Sequence, residues 1–188
     1  MNLLEASIEA QKDYSHKIVL ARVNGKLSEL NREICESQKN EIEWVTTADT
    51  SGMQTYRRSA TFLMLKAVRD VYGRSVNICV EYSLSKGYYC SVTGDVAVDE
   101  TFIGKISYRM KELVDECVPI NKLTYGLDEV IRIFHDEEMY DKEKLFRYRR
   151  ASKVNLYEMD GFRDYFYGYM VPDTSYLTCL LYTSDAAD

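Results

Sequence analysis

Few side chains in this sequence can make or break bonds, and their spacing narrows the chemistry further. The two histidines, His16 and His135, stand apart from every other candidate, so solvation or capping is their simplest role. Cys35, Cys79, Cys90, Cys117 and Cys179 are scattered singly with no CxxC pair, which argues against a disulfide framework or a zinc ribbon and for small core residues in a reducing compartment. Nothing matches GxxxxGK[ST], so there is no phosphate cradle and no magnesium-binding hydroxyl. No residue is therefore expected to be catalytic, cofactor-binding or metal-ligating. The remaining candidates are cations. Lys142, Lys144, Arg147, Arg149, Arg150 and Lys153 alternate with Phe146 and Tyr148, a mixture that can hold phosphate and stack bases. The competing reading is a helix-to-strand connection whose charge is offset by Asp136, Glu137, Glu138, Asp141 and Glu143, and that acidic flank would blunt any long-range field. Arg57 and Arg58 could line a pocket for an anion; capping or surface pairing explains them equally well.

The bulk properties agree with this sparse inventory. A chain of 188 residues, 46% hydrophobic and 29% charged, suits one or two ordinary globular domains. No apolar run approaches the roughly 18 residues needed to cross a bilayer, and MNLLEASIEA lacks the features of a secretion signal, so the expected compartment is the cytoplasm and no membrane partner is expected. A net charge of -6 disfavours nucleic-acid binding by the whole surface but leaves local basic patches open. Sixteen tyrosines, many of them late in the chain, fit amphipathic packing of a broad sheet face better than an aromatic binding platform.

The elements that must position these residues alternate in type. Leu4 and Ile8 mark a short helix from Leu3 to Gln11. Ile18 to Val23, Asn24-Gly25 and Lys26 to Ser28 form a hairpin with a type I′ turn. Ile42 to Thr47 is a further strand, and Thr50-Ser51-Gly52 is a polar break and domain boundary. Ser59 is placed to cap a helix that carries Thr61, Met64, Leu65, Val68, Val71 and Tyr72 on one face and stops at Gly73. Val76 to Tyr82 and Tyr88 to Val92 pair through a turn at Ser85-Lys86-Gly87. Helices are expected over Thr101 to Cys117 and Leu127 to His135, and a strand over Lys153 to Tyr157. The fold class is α+β.

Two resemblances follow from these stretches. LLEASIEAQKDY, VLARVNGKLSELN and IEWVTTAD resemble the TGS domain, a β-grasp module, over residues 1–50; that module opens with a hairpin this sequence lacks, so the resemblance implies a partial domain. The helix near Ser59, GYYCSV, DEVIRIF and GFRDYFYGYMVPDT resemble the second additional domain of threonyl- and alanyl-tRNA synthetases over residues 55–177. The resemblance implies an editing-like α+β domain that hydrolyses mischarged tRNA with a His-x-x-x-His pair on its first helix and a Cys-x-x-x-His pair in a late loop. The loop frame is kept here in Asp164, Gly168 and Val171-Pro172, but the four chemical positions hold Arg58, Phe62, Phe166 and Met170. Phenylalanine has no lone pair, arginine is permanently cationic and a lone thioether is a poor zinc ligand, so metal-assisted hydrolysis is not expected. Asp164, Gly168 and Pro172 then become architectural, and Phe166 and Met170 packing residues.

The order TGS, then this domain with YRRS, SKGYYC, DKEKLFRYRRASKVNLY and DYFYGYMVP, is similar to the front half of a bacterial uridine kinase-like nucleoside kinase. That implies a noncatalytic regulatory or substrate-sensing portion, with ATP and magnesium used only by a P-loop kinase domain lying beyond it and contacting it, and a nucleotide as ligand of the old cleft. The alternative is a tRNA- or RNA-binding module descended from an editing domain that has lost hydrolysis. CLLYTSDAAD, residues 179–188, resembles a translated sequencing adapter and is expected to carry no native meaning.

Overall fold

A computed structural model describes residues 2–34, 40–84 and 87–178, so Cys35, the Ser85-Lys86 turn and the 179–188 tail lie outside the described residues. The fold is α+β, with five α-helices and three small sheets among the described residues. Two compact units are present, each discontinuous in sequence. The first takes the described residues up to 63, with 113–121 and those from 166 on; the second takes 64–112 and 122–165.

In the first unit, helix α1 (Leu3–Ala10) begins where the Asn2 side chain accepts from the Leu4 amide at 3.0 Å. Its packed side is Leu3 and Ser7, one position before the expected Leu4 and Ile8, and Ile8 is exposed. Strands β1 (Ile18–Val23), β2 (Lys26–Glu29) and β3 (Ile42–Thr46) form an antiparallel sheet in the order β2-β1-β3. The hairpin is as expected: Val23 faces Lys26, and Asn24 and Gly25 both have positive φ, the type I′ requirement. Ile18 to Ala21 are buried, as suits a central strand.

Helix α2 (Thr50–Tyr72) starts well before the expected Ser59 cap. Thr50-Ser51-Gly52, expected as a break, is its first turn. Gly52 is required there because a Cβ would overlap the Thr46 carbonyl, and Met53 N–H donates to Asp49 O at 2.8 Å. Apolar periodicity missed this start because the buried stripe carries Thr55, Ser59 and Lys66 beside Phe62 and Leu63. Gly73, at φ 63°, ends the helix as expected.

In the second unit, β4 (Val76–Leu84) and β5 (Gly87–Gly94) pair antiparallel, and α3 (Glu100–Asp115) starts where Asp99 Oδ1 accepts from the Phe102 amide at 2.8 Å. Strand β6 (Asn121–Gly126) leads into α4 (Leu127–Asp136), and the basic stretch, given no helix from sequence, forms α5 (Tyr140–Arg147). Strands β7 (Lys153–Met159) and β8 (Phe162–Asp164) join β6 in the order β6-β7-β8. Val130, Ile133, Phe134, Phe146, Val154 and Leu156 form one core there, with Tyr165 packed against it. Asp160 and Gly161, both at positive φ, turn β7 into β8. Among the described residues no helix is long and apolar enough to cross a membrane.

Candidate functional site

An α-helix brings residues four apart onto one face, so Arg58 and Phe62 of α2 present neighbouring side chains. The loop after β8 meets them one by one. Arg58 Nη1 donates to the Tyr169 carbonyl at 2.7 Å. The Phe62 and Phe166 rings meet edge to face, centroids 5.4 Å apart. Met170 is buried, its Sδ 3.3 Å from Ser59 Oγ. The four positions assigned by resemblance to metal and hydrolytic chemistry therefore converge in the first unit, and apolar groups with one arginine fill them.

Ser59 holds the loop down. Its hydroxyl accepts from the Val171 amide at 3.0 Å, and its proton points to the Thr55 carbonyl at 2.9 Å or to Met170 sulfur. The bond to Thr55 is an i to i-4 contact inside the helix, so Ser59 is no cap. Sequence reasoning missed this role; the available signal was a serine beside Arg58 on the stripe that faces the loop. Met170 N–H donates to Glu29 Oε1 at 3.0 Å, so β2 also ties the loop. Gly168 sits at φ 116°, and a Cβ there would come within 2.6 Å of the Arg58 guanidinium carbon. Arg58 thus lies against the loop at a position whose positive φ favours glycine.

None of the side chains at the four positions is an ordinary hydrolytic group. A general base, a nucleophile or a metal-bound water needs a lone pair with a proton to move. Phe62 and Phe166 supply none, and Ser59 spends its hydroxyl on the backbone. Among the described residues no group of three or more His, Cys, Asp or Glu side chains is placed to hold a metal ion.

The remaining sequence candidates belong to different units. Arg57, half-buried, lies beside Arg58 in the first; the six cations of 142–153 lie in the second. Those six divide by what they touch. Lys142 Nζ lies 2.5 Å from both Asp164 oxygens, and Asp164 is buried to 1% exposure. Arg147 bonds Glu143 Oε1 through Nε at 3.1 Å and Nη2 at 2.5 Å. The Arg147 bonds, then His135 at 3.1 Å, hold the Glu143 carboxyl below the usual carboxylate range. His135 is thus a hydrogen-bonding partner of Glu143. Arg149 lies over the Phe146 and Tyr165 rings and donates to the Tyr165 hydroxyl at 3.0 Å. Lys144, Arg150 and Lys153 are exposed. Phe146, one of the two aromatics read from sequence as able to stack bases, is core.

No family model matches the chain. Among known proteins it is 31% identical over 173 residues to the threonine-tRNA ligase of Syntrophotalea carbinolica, covering 92% of this chain and 27% of that protein. It is 27% identical over 176 residues to the threonine-tRNA ligase of Carboxydothermus hydrogenoformans (91% and 27%) and 28% identical over 159 residues to that of Staphylococcus saprophyticus (85% and 24%). These relatives overturn the expected uridine kinase-like nucleoside kinase: none of those named is a kinase. The kinase and transferase reading, the adjoining P-loop domain and the reason for expecting ATP and magnesium fall with it. The chain spans about a quarter of the length of the curated relatives it matches. Across nearly all of its own length, it is similar to a part of threonine-tRNA ligases.

Proposed function

We propose that this chain is a tRNA-engaging module related to the editing portion of a threonine-tRNA ligase, able to bind tRNA and unable to hydrolyse its aminoacyl ester. The observation that carries the reading is the convergence of Arg58, Phe62, Phe166 and Met170 in one place, together with their chemistry. The scaffold that would gather four ligands is intact while every ligand is gone. The similarity to ligases named for tRNA supports tRNA as the partner. The loop is tied by the Val171 amide to Ser59 and by the Pro172 carbonyl, which accepts from the Ile120 amide at 2.9 Å. Loss of chemistry with retention of scaffold is what a binding role requires, because recognition depends on shape and surface and hydrolysis on lone pairs.

Titration of the chain with deacylated tRNA at several salt concentrations tests the reading. The expected result is saturable binding that weakens steeply as salt rises, since neutralising phosphates releases counterions. Absence of binding at low salt would refute it.

A further inference from the structure

The ion pairs of the second unit redistribute the charge of the basic stretch. From sequence, five acidic residues flank it and partly offset it. In the structure Glu137 is held by Arg69 at 2.8 Å and lies 3.7 Å from Arg74; Glu138 lies 3.3 Å from Arg74; Glu143 is held by Arg147. Three of the five are thus neutralised by arginines, two of which, Arg69 and Arg74, lie outside the basic run. Asp136 and Asp141 remain exposed. On the cationic side, Lys142 is paired with Asp164 and Arg147 with Glu143, while no ion pair among the described residues involves Lys144, Arg150 or Lys153. The local balance is therefore positive, although the chain as a whole carries -6.

Helix geometry puts one of those cations on the face of an exposed aromatic, and the other two follow closely in the chain. Tyr148 caps α5 with helical dihedrals, so Lys144, four residues before it, shares its face. Tyr148 is 80% exposed and Leu145 66%. The next residue, Arg149, is turned onto the Phe146 and Tyr165 rings, which fixes the chain between Tyr148 and Arg150. In β7, Val154 and Leu156 are buried and Lys153 and Asn155 exposed, so Lys153 is on the outward face. Tyr148 is thus a large aromatic in water on the face of Lys144 and close in the chain to the exposed Arg150 and Lys153.

We infer that Lys144, Tyr148, Arg150 and Lys153 form a contact surface for a single-stranded segment of RNA, its phosphates held by the cations and one base stacked on Tyr148. A single strand fits better than a duplex because only an unpaired base offers a face to the ring. The inference rests on the reading that the chain engages tRNA and assigns the contact within it.

Fluorescence anisotropy of the full chain with a labelled short single-stranded RNA, and with tRNA, at several salt concentrations tests it. Lys144→Glu/Arg150→Glu/Lys153→Glu should weaken both about tenfold or more and flatten the salt slope by about two to three phosphates' worth. Tyr148→Ala should weaken binding about fivefold to a hundredfold with the slope unchanged, and Tyr148→Phe should restore most of it. Lys12→Glu, an exposed change in the first unit, should have little effect. Wild-type tRNA binding that is untouched by the triple and Tyr148 variants would overturn this surface while leaving the tRNA reading standing. Failure of the wild-type chain to bind tRNA at all would overturn both. Equal affinity for heparin, unchanged by Tyr148→Ala, would mark a general polyanion patch and also overturn the assignment.

Discussion

Arg58 and Gly168 are matched in shape. The guanidinium lies against a residue whose missing Cβ leaves it room, and it reaches past to the Tyr169 carbonyl. Gly168→Ala meets both the clash and the positive φ, so it should destabilise the chain by about 1 to 3 kcal/mol in urea unfolding. Part of that loss should return in Arg58→Ala/Gly168→Ala, because the two residues share one contact. The same geometry allows the lost ligands to be put back. Arg58→His, Phe62→His, Phe166→Cys and Met170→His together should create a tetrahedral site that takes up Co²⁺ with thiolate charge-transfer absorption, whereas the parent chain should show none. A folded quadruple variant that bound no cobalt would mean the four positions do not converge. Removing Phe62 alone costs about 3 to 5 kcal/mol, so the metal-free quadruple should be unstable and the metal should restore it.

At the scale of elements, α4 and α5 are joined by a common core and by Glu143, which takes Arg147 from its own helix and His135 from α4. Because these partners lower the Glu143 carboxyl in the folded state, the stability they give is full above the ordinary carboxylate range. It is lost as pH falls through the lowered folded value. Glu143→Gln should therefore be less stable than the parent at neutral pH and lose less on acidification, a difference readable in thermal unfolding from neutral to acid pH.

The hairpin at Asn24-Gly25, the stop at Gly73 and the amphipathic α3 and α4 were legible because each has a strong local cause: positive φ, a helix C-terminus, a one-sided apolar stripe. α5 and the start of α2 were not. The buried side of α5 is Glu143 and Phe146 within a basic run, with Glu143 satisfied by Arg147 and His135, and that of α2 includes Thr55, Ser59 and Lys66, with Ser59 and Lys66 satisfied by distant polar partners; hydropathy registers none of these bonds. The four exchanged positions were legible only through resemblance. Ser59 became visible only once Val171 was seen to lie against it.

For the whole molecule, a net charge of -6 means that any hold on tRNA must come from a local surface and must be sensitive to salt. The similarity to threonine-tRNA ligases supports the proposed partner, and the side chains at the four positions support the proposal of binding without hydrolysis. These two properties can be read in one measurement: the half-life of the ester of a mischarged tRNA held at saturating chain, against the same tRNA alone. Our account predicts a bound tRNA whose ester decays no faster than in free solution. An ester that is lost faster when the chain is present would contradict it.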